Sequence, residues 1–394
     1  MRKLVLVGLL VLGVTAFAAA PGKILIWADD TRAPVFREIG AEYTKATGIP
    51  VEVVEIPFGN IRDQFVTAAP TGEGPDLIIG AHDWVGELAA SGLLAEIILP
   101  PELAAQFDPV SLEAFVYGRL YGLPYAREGV GLLYNKALVK EVPATFEELI
   151  ELARKLTDPT VPQYGFVVQN PDPYHEFPFL SALGGYIFGY DKEGKLNPCD
   201  VGLDSPGAIA GAEILQSLFK EGLIPAGLDW DTWTSLFTEG RIAMVITGPW
   251  FVGRAKAAGI DIGVGPIPPI QGKAPKPFVG VQGVMVSAFS PNLPVVFDFL
   301  FNYFATKETM LALYAKDPRI PAFLPAYDEV KADPILKGFA ESISNGVPMP
   351  NIPQMSAVWG AWYDAMALIG NLQMTPEEAL KLAADNIRAT LGCK

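Results

Sequence analysis

Short apolar runs alternate with longer amphipathic segments along this chain. Runs rich in valine, isoleucine and leucine predict strands at residues 23–27, 51–56, 76–80, 240–247 and 281–286. Between the first two strands, residues 30–47 predict a helix that ends at Gly48. This alternation of strands and helices is typical of an α/β architecture.

Two capping boxes predict the beginnings of further helices. Thr145 and Glu148 precede one apolar helical pattern, and Thr375 and Glu378 precede another. Both helices are interpreted as structural. The sequence shows no internal repeat and no linker rich in serine, proline and glycine, so two lobes would be joined by chain crossings rather than by a tether.

Residues 349–359, Met-Pro-Asn-Ile-Pro-Gln-Met-Ser-Ala-Val-Trp, suit neither a central strand nor a helix interior. Three prolines restrict the backbone, and each removes a hydrogen-bond donor. The segment therefore predicts a rigid loop that leads into a helix and places Trp359. Two interpretations stay open: one wall of a binding site, or a surface connection whose tryptophan covers the core.

The first residues have the pattern of a secretory signal peptide. Arg2 and Lys3 precede an apolar stretch over 4–16, and Ala16-Phe17-Ala18 predicts cleavage after residue 18. A membrane-spanning helix is disfavoured because the stretch falls short of about 20 apolar residues. Removal of the signal peptide lowers the net charge from −15 to −17, because two of the 29 basic residues are lost and all 44 acidic residues remain.

This acidic balance disfavours nucleic acid and anionic membrane surfaces as partners. Cys199 and Cys393 are the only cysteines. Export permits a disulfide between them, and two free thiols are the alternative; the distance between their Cα atoms decides.

Few residues suit catalysis. With only His82 and His175, a three-histidine metal site is excluded, and neither nucleotide-binding loops nor a Gly-x-Ser-x-Gly motif is present. Asp83, Glu128 and Asp172 follow loop-like sequence. They could form the acid pair of a glycoside hydrolase, accept hydrogen bonds from sugar hydroxyls, or simply be solvated.

Four tryptophans, Trp84, Trp230, Trp250 and Trp359, lie beside turn-forming residues at the ends of predicted elements. A half-exposed aromatic ring offers an apolar face that can stack on a sugar. Packing in the core is the interpretation for the other candidates, Trp27, Trp233 and Trp362.

Several segments together resemble the maltose/maltodextrin-binding proteins of bacterial ABC importers, over nearly the whole mature chain. They are Gly-Pro-Asp at 74–76, Ala-His-Asp at 81–83, Ser-Gly-Leu-Leu-Ala-Glu-Ile at 91–97, Leu-Tyr-Asn-Lys at 133–136, Gly-Pro-Trp at 248–250, Lys-Pro-Phe-Val-Gly-Val at 276–281 and the run 349–359.

The resemblance implies an α/β, two-lobed periplasmic-binding-protein fold with three interlobe crossings and a ligand cleft between the lobes. The crossings are expected near 127–129, 279–281 and 332–335. One lobe would comprise 19–127 and 281–331, and the other 128–280 and 332–394. It also implies a secreted monomer without enzymatic activity, cofactor or metal, which closes on a sugar and delivers it to a membrane permease.

The sugar-binding residues that the resemblance implies are Thr31, Arg32, Asp83, Trp84, Glu128, Asp172, Tyr174, Trp230, Trp250, Trp359 and Tyr363. Some depart from the family pattern. Asp172 replaces a glutamate and Trp230 a tyrosine, Tyr363 and Trp84 replace arginines, Thr31-Arg32 replaces an Asp-Lys pair, and Gly80 replaces a tryptophan. Arg127 could also donate to a hydroxyl, or stack at a hinge.

These departures predict an altered pocket. A small α-glucoside such as maltose, trehalose or sucrose is therefore weighed equally with longer maltodextrins. Two other classes stay open: a secreted glycoside hydrolase that uses the acid pair, and a binding protein for a polyamine or an anion.

Overall fold

The structure, a computed structural model, describes residues 19–393. The predicted signal peptide, residues 1–18, lies outside the described residues. Within 19–393, no helix has the length and hydropathy needed to cross a membrane.

The described strands, in chain order, are β1 (Ile24–Ala28), β2 (Val51–Glu55), β3 (Leu77–Ala81), β4 (Val116–Tyr117), β5 (Arg119–Leu120), β6 (Gly122–Glu128), β7 (Gly131–Asn135), β8 (Tyr164–Val168), β9 (Phe188–Tyr190), β10 (Leu196–Val201), β11 (Ile242–Thr247), β12 (Ile262–Gly265), β13 (Phe278–Val286), β14 (Ile320–Pro321) and β15 (Val347–Pro348).

The described α-helices are α1 (Ala33–Thr47), α2 (Phe58–Ala68), α3 (Val85–Ala90), α4 (Pro101–Ala104), α5 (Pro109–Ala114), α6 (Phe146–Leu156), α7 (Pro173–Ala182), α8 (Pro206–Glu221), α9 (Trp230–Thr238), α10 (Val252–Ala257), α11 (Leu293–Phe299), α12 (Lys307–Lys316), α13 (Leu324–Val330), α14 (Pro334–Ser342), α15 (Ser356–Gly370) and α16 (Pro376–Thr390).

Two larger sheets organise the molecule. A seven-stranded sheet has the order β14-β6-β13-β3-β1-β2, with β15 paired to β13, and a four-stranded sheet has the order β12-β7-β11-β8. Strands β6 and β7 lie in different sheets although only two residues separate them, and β12 and β13 also lie in different sheets. The mixed α/β architecture predicted from the sequence is confirmed.

Both faces of the seven-stranded sheet are covered. Ile24 and Ile26 pack into one buried cluster together with α1 and α11, whereas Leu25 and Trp27 pack into another cluster on the opposite face. Successive strand residues point to opposite faces, so a strand buried on both sides reads as a continuous apolar run. This explains why the central strands could be recognised from composition alone.

Helix boundaries follow local hydrogen bonds. At Thr375 the predicted capping box is complete, whereas at Thr145 the Glu148 carboxylate accepts from the Ala144 amide instead. The predicted helix 30–47 begins later, at Ala33, because Asp29 accepts from the Thr31 and Arg32 amides and holds a turn there.

The run 349–359 forms the predicted loop and helix start. A short 3-10 turn at Pro353–Met355 leads into α15, where Trp359 is half-buried and Trp362 is fully buried. The loop passes directly over α3, since a Cβ at Gly86 would lie 2.2 Å from the Asn351 carbonyl oxygen. Gly86 therefore permits a close approach of two backbones.

Of the two alternatives for the cysteines, the structure contains the disulfide. Cys199 and Cys393 are bonded, with their Cα atoms 5.5 Å apart. The bond attaches the segment after α16 to strand β10.

We expect Gly86→Ala to destabilise the protein by about 1–3 kcal/mol, because the added methyl group meets rigid backbone. Gly360→Ala is the matched control: Gly360 also lies in a helix, but nothing lies within 4 Å of its added Cβ. That substitution should stabilise by roughly 0.5–1 kcal/mol. Urea unfolding measures both, and a Gly86→Ala variant as stable as the parent would contradict the close approach.

Candidate functional site

The predicted site residues follow the carboxyl ends of parallel strands. In the seven-stranded sheet, β1, β3 and β6 run in the same direction, since β3 and β6 are both antiparallel to β13. Their ends carry Arg32, Asp83 and Glu128, respectively. In the four-stranded sheet, β8 and β11 are parallel and are followed by Tyr174 and Trp250. Ligands of α/β proteins bind at such edges.

Asp83 and Trp359 meet between elements distant in sequence. The Trp359 indole Nε1 donates a hydrogen bond to Asp83 Oδ2 at 3.1 Å. Asp83 is 7% exposed, and burial raises its pKa to about 6 although the Trp359 hydrogen bond acts against the shift. The two residues therefore form a direct polar contact between the short turn that precedes α3 and helix α15, which are distant in sequence.

Trp84 occupies the space that Gly80 leaves. A Cβ at Gly80 would lie 2.0 Å from the Trp84 ring, which also packs against Phe58, with ring centroids 5.1 Å apart. Trp84 is buried. The indole of Trp84 thus covers Gly80, and the two positions form one structural unit.

Arg32 is buried and already paired. It forms an ion pair of 2.5 Å with Asp29 and lies 5.1 Å from the ring centroid of Phe58. Burial lowers the pKa of Arg32, but the charges of Asp29 and Glu128 outweigh this and hold the pKa above its usual value. Thr31 donates from its hydroxyl to the same Asp29 carboxylate.

Glu128 has a partner for each carboxylate oxygen. Gln282 Nε2 donates to Oε1 at 2.7 Å, and Arg319 Nε donates to Oε2. Each oxygen retains a second lone pair that could accept from a hydroxyl.

Tyr174 and Trp250 form an aromatic wall with Phe278. The ring centroid of Tyr174 lies 5.9 Å from the ring centroid of Trp250 and 5.8 Å from that of Phe278. Among residues 19–393 the buried Tyr174 hydroxyl has no hydrogen-bond partner, and burial raises its pKa well above the usual value. A buried hydroxyl without a partner is suited to meet a polar ligand.

Asp172 caps α7, the helix that carries Tyr174. Its carboxylate accepts from the amides of Tyr174 and His175 and from the Gln169 side chain. Trp230 packs edge-on against Trp233, with centroids 5.1 Å apart. Tyr363 lies on α15 and is 49% exposed.

The three tryptophans interpreted as packing residues, Trp27, Trp233 and Trp362, are all buried, which confirms that interpretation. Arg127 lies 3.7 Å from Asp108 in a partly exposed ion pair. No group of three or more potential metal ligands is found within the described chain.

Sequence reasoning missed Arg319, which contacts the candidate site residue Glu128. The sequence nevertheless contains a signal for it. It is the only charged residue in the run Pro-Arg-Ile-Pro-Ala-Phe over 318–323. Gln282 gives a similar signal, as a lone polar side chain within the buried strand β13.

Comparisons with known proteins show the family of this chain. A family model described as bacterial extracellular solute-binding protein matches residues 38–338. The chain therefore belongs to the bacterial extracellular solute-binding proteins.

Named relatives are similar over most of their length. The maltotriose-binding protein of Pyrococcus abyssi is 35% identical over 351 residues, which cover 86% of this chain and 75% of the relative. The galactooligosaccharide-binding protein of Bacillus subtilis is 31% identical over 382 residues, with coverage of 94% and 90%. The maltodextrin-binding protein MdxE of Bacillus subtilis is 28% identical over 392 residues, with coverage of 94% and 92%. The resemblance to maltodextrin-binding proteins is confirmed.

Two adjacent residues should give opposite pH effects. Burial lowers the pKa of His82 to about 4, so the unfolded chain takes up this proton first and stability falls between pH 6.5 and 4. Asp83, with its pKa raised to about 6, takes up a proton first in the folded state, so stability rises as pH falls from 6 to 4.

We therefore expect Asp83→Asn to lose more stability than the parent between pH 6.5 and 4.5, by up to about 2 kcal/mol. Other titrating groups cancel in the difference between the two proteins. Urea unfolding at several pH values measures it, and parallel pH profiles would contradict the raised pKa of Asp83.

Proposed function

We propose that this chain is an extracytoplasmic binding protein that captures an oligosaccharide or disaccharide by hinge closure and delivers it to an ABC permease. One observation carries the proposal: acids and aromatic rings meet between the edges of two sheets, with Asp83 accepting from Trp359. Acids accept from sugar hydroxyls while rings cover the apolar sugar face. The names of the relatives support the same class of ligand.

The proposed lobes are residues 19–127 with 281–331, and residues 128–280 with 332–394. The division is supported by the two larger sheets. The four-stranded sheet falls entirely in the second lobe, and the seven-stranded sheet falls mainly in the first, with β15 and the ends of β6 and β13 as exceptions. The proposed hinges are residues 127–129 at the end of β6, residues 279–281 near the start of β13, and residues 332–335 just before and within α14. Short segments that join two packed bodies can absorb the torsional change of closure.

Closure on the sugar would follow from population shift. The Asp83–Trp359 contact would exchange for contacts with the ligand, and the Tyr174 hydroxyl would gain a partner. Only in the closed form could the sugar contact residues of both proposed lobes at once, so the sugar would stabilise that form. Moving the equilibrium from 1:99 to 99:1 requires about 5.5 kcal/mol of differential affinity.

The proposed ligands are maltose, trehalose, sucrose and maltodextrins. The galactooligosaccharide-binding relative adds galactooligosaccharides to the sugars worth testing. The protein would act as a monomer, secreted by a cleaved signal peptide, without catalysis or a cofactor.

Thermal-shift measurements with these sugars, a polyamine and phosphate test the proposal. A ligand that binds only the native state raises the melting temperature. At a concentration 100 times its Kd, it increases the free energy of unfolding by about 2.7 kcal/mol. We expect a shift with at least one oligosaccharide. A rise in melting temperature with only the polyamine or phosphate would contradict the proposed function. Hydrolysis of maltotriose by the protein would also contradict it.

Trp359→Ala should weaken binding of the active sugar at least about tenfold, because the stacking face is lost. Trp359→Phe should retain more affinity, since it keeps a ring but loses the donor to Asp83. Tyr190→Ala is the control, because Tyr190 is 70% exposed on strand β9. Calorimetric titration measures all three, and an unchanged Kd for Trp359→Ala would exclude Trp359 from the site.

A further inference from the structure

Arg319 is a buried cation at the edge of the seven-stranded sheet. It lies immediately before β14, whose residue Ile320 pairs with Arg127 of β6. The Arg319 side chain is 4% exposed. A guanidinium withdrawn from water to this extent needs several partners.

Its polar partners are acids and a hydroxyl. Arg319 forms ion pairs with Glu128 and Asp317, and its Nη1 lies 3.5 Å from the Tyr125 hydroxyl. Gln282 holds the other oxygen of Glu128. The Glu128 carboxylate is therefore oriented from both sides.

Its apolar partner belongs to the other sheet. The Arg319 Cζ lies 5.7 Å from the ring centroid of Trp250, which follows strand β11 of the four-stranded sheet. A guanidinium over an indole is attracted by the negative face of the ring. One side chain thus contacts a candidate hydroxyl-binding acid and a candidate stacking ring from different sheets.

A purely structural ion pair is the simplest alternative. Buried ion pairs contribute little net stability, since the cost of removing charges from water offsets their attraction. Replacing the acids and the arginine together by apolar side chains would serve the structure as well, whereas a fixed angle between acid and ring needs the planar fork of arginine. The contact with Trp250 favours a role in orienting the Glu128 carboxylate relative to the ring.

We propose that Arg319 is a positioning residue of the sugar site, which orients the Glu128 carboxylate and sets it against the Trp250 ring when the lobes close. This inference rests on the proposed function. Arg319 acts through these two residues and need not touch the sugar.

Arg319→Lys is the main variant, because lysine keeps the charge but cannot serve Glu128 and stack on Trp250 with one planar group. We expect it to weaken binding of the sugar found by thermal shift about tenfold, with an almost unchanged melting temperature in the absence of sugar. Arg154→Lys is the control, since Arg154 is exposed and paired with Glu221. Arg319→Met removes the charge as well and should bind more weakly still.

A double-mutant cycle with Glu128→Gln separates positioning from general support of the fold. If Arg319 acts through Glu128, Arg319→Lys should have a smaller effect on the Kd in the Glu128→Gln protein than in the parent. An unchanged Kd for Arg319→Lys, or its full effect without the Glu128 carboxylate, would overturn the inference. If the parent binds none of the sugars, the proposed function fails, and this inference fails with it.

Discussion

Buried carboxylates at one edge of the seven-stranded sheet are the constraint on which the rest of the structure depends. Asp29, Asp83, Glu128 and Asp317 are all nearly inaccessible to water. A buried charge without a partner costs several kcal/mol, so each must be matched within the protein or by a ligand. Arg32 pairs with Asp29, and Arg319 pairs with Glu128 and Asp317. The Trp359 indole donates a hydrogen bond to Asp83.

This constraint also explains how a rigid scaffold and an adaptable site share one edge. Strands buried on both faces fix the positions from which the acids project. Asp29 and Asp317 have arginine partners near them in sequence, whereas Asp83 relies on an indole from α15. A neutral donor holds a carboxylate less firmly than a cation does. Of these acids, Asp83 therefore has the protein partner that is most easily exchanged.

Much of the fold could be predicted from the sequence, because strand and helix signals are local. The apolar central strands, the Thr375 capping box and the burial of Trp27 and Trp233 all follow from nearby residues. The site was harder, since it is assembled from residues far apart in sequence. No local pattern shows that Arg319 meets Glu128, 191 residues away. Nor could spacing show that Trp84 would lie over Gly80. The capping of α7 by Asp172, in contrast, has a local signal, because an aspartate directly before a proline is typical of a helix start.

The disulfide has a consequence for protease cleavage. It closes a loop of 194 residues in sequence, from strand β10 to the segment after α16. That loop includes β13, α15 and most of the aromatic wall. A protease that cuts one exposed peptide bond within it leaves both pieces covalently joined, so the fragments separate only after reduction. A single cut there would not by itself release the part of the chain that carries Trp359.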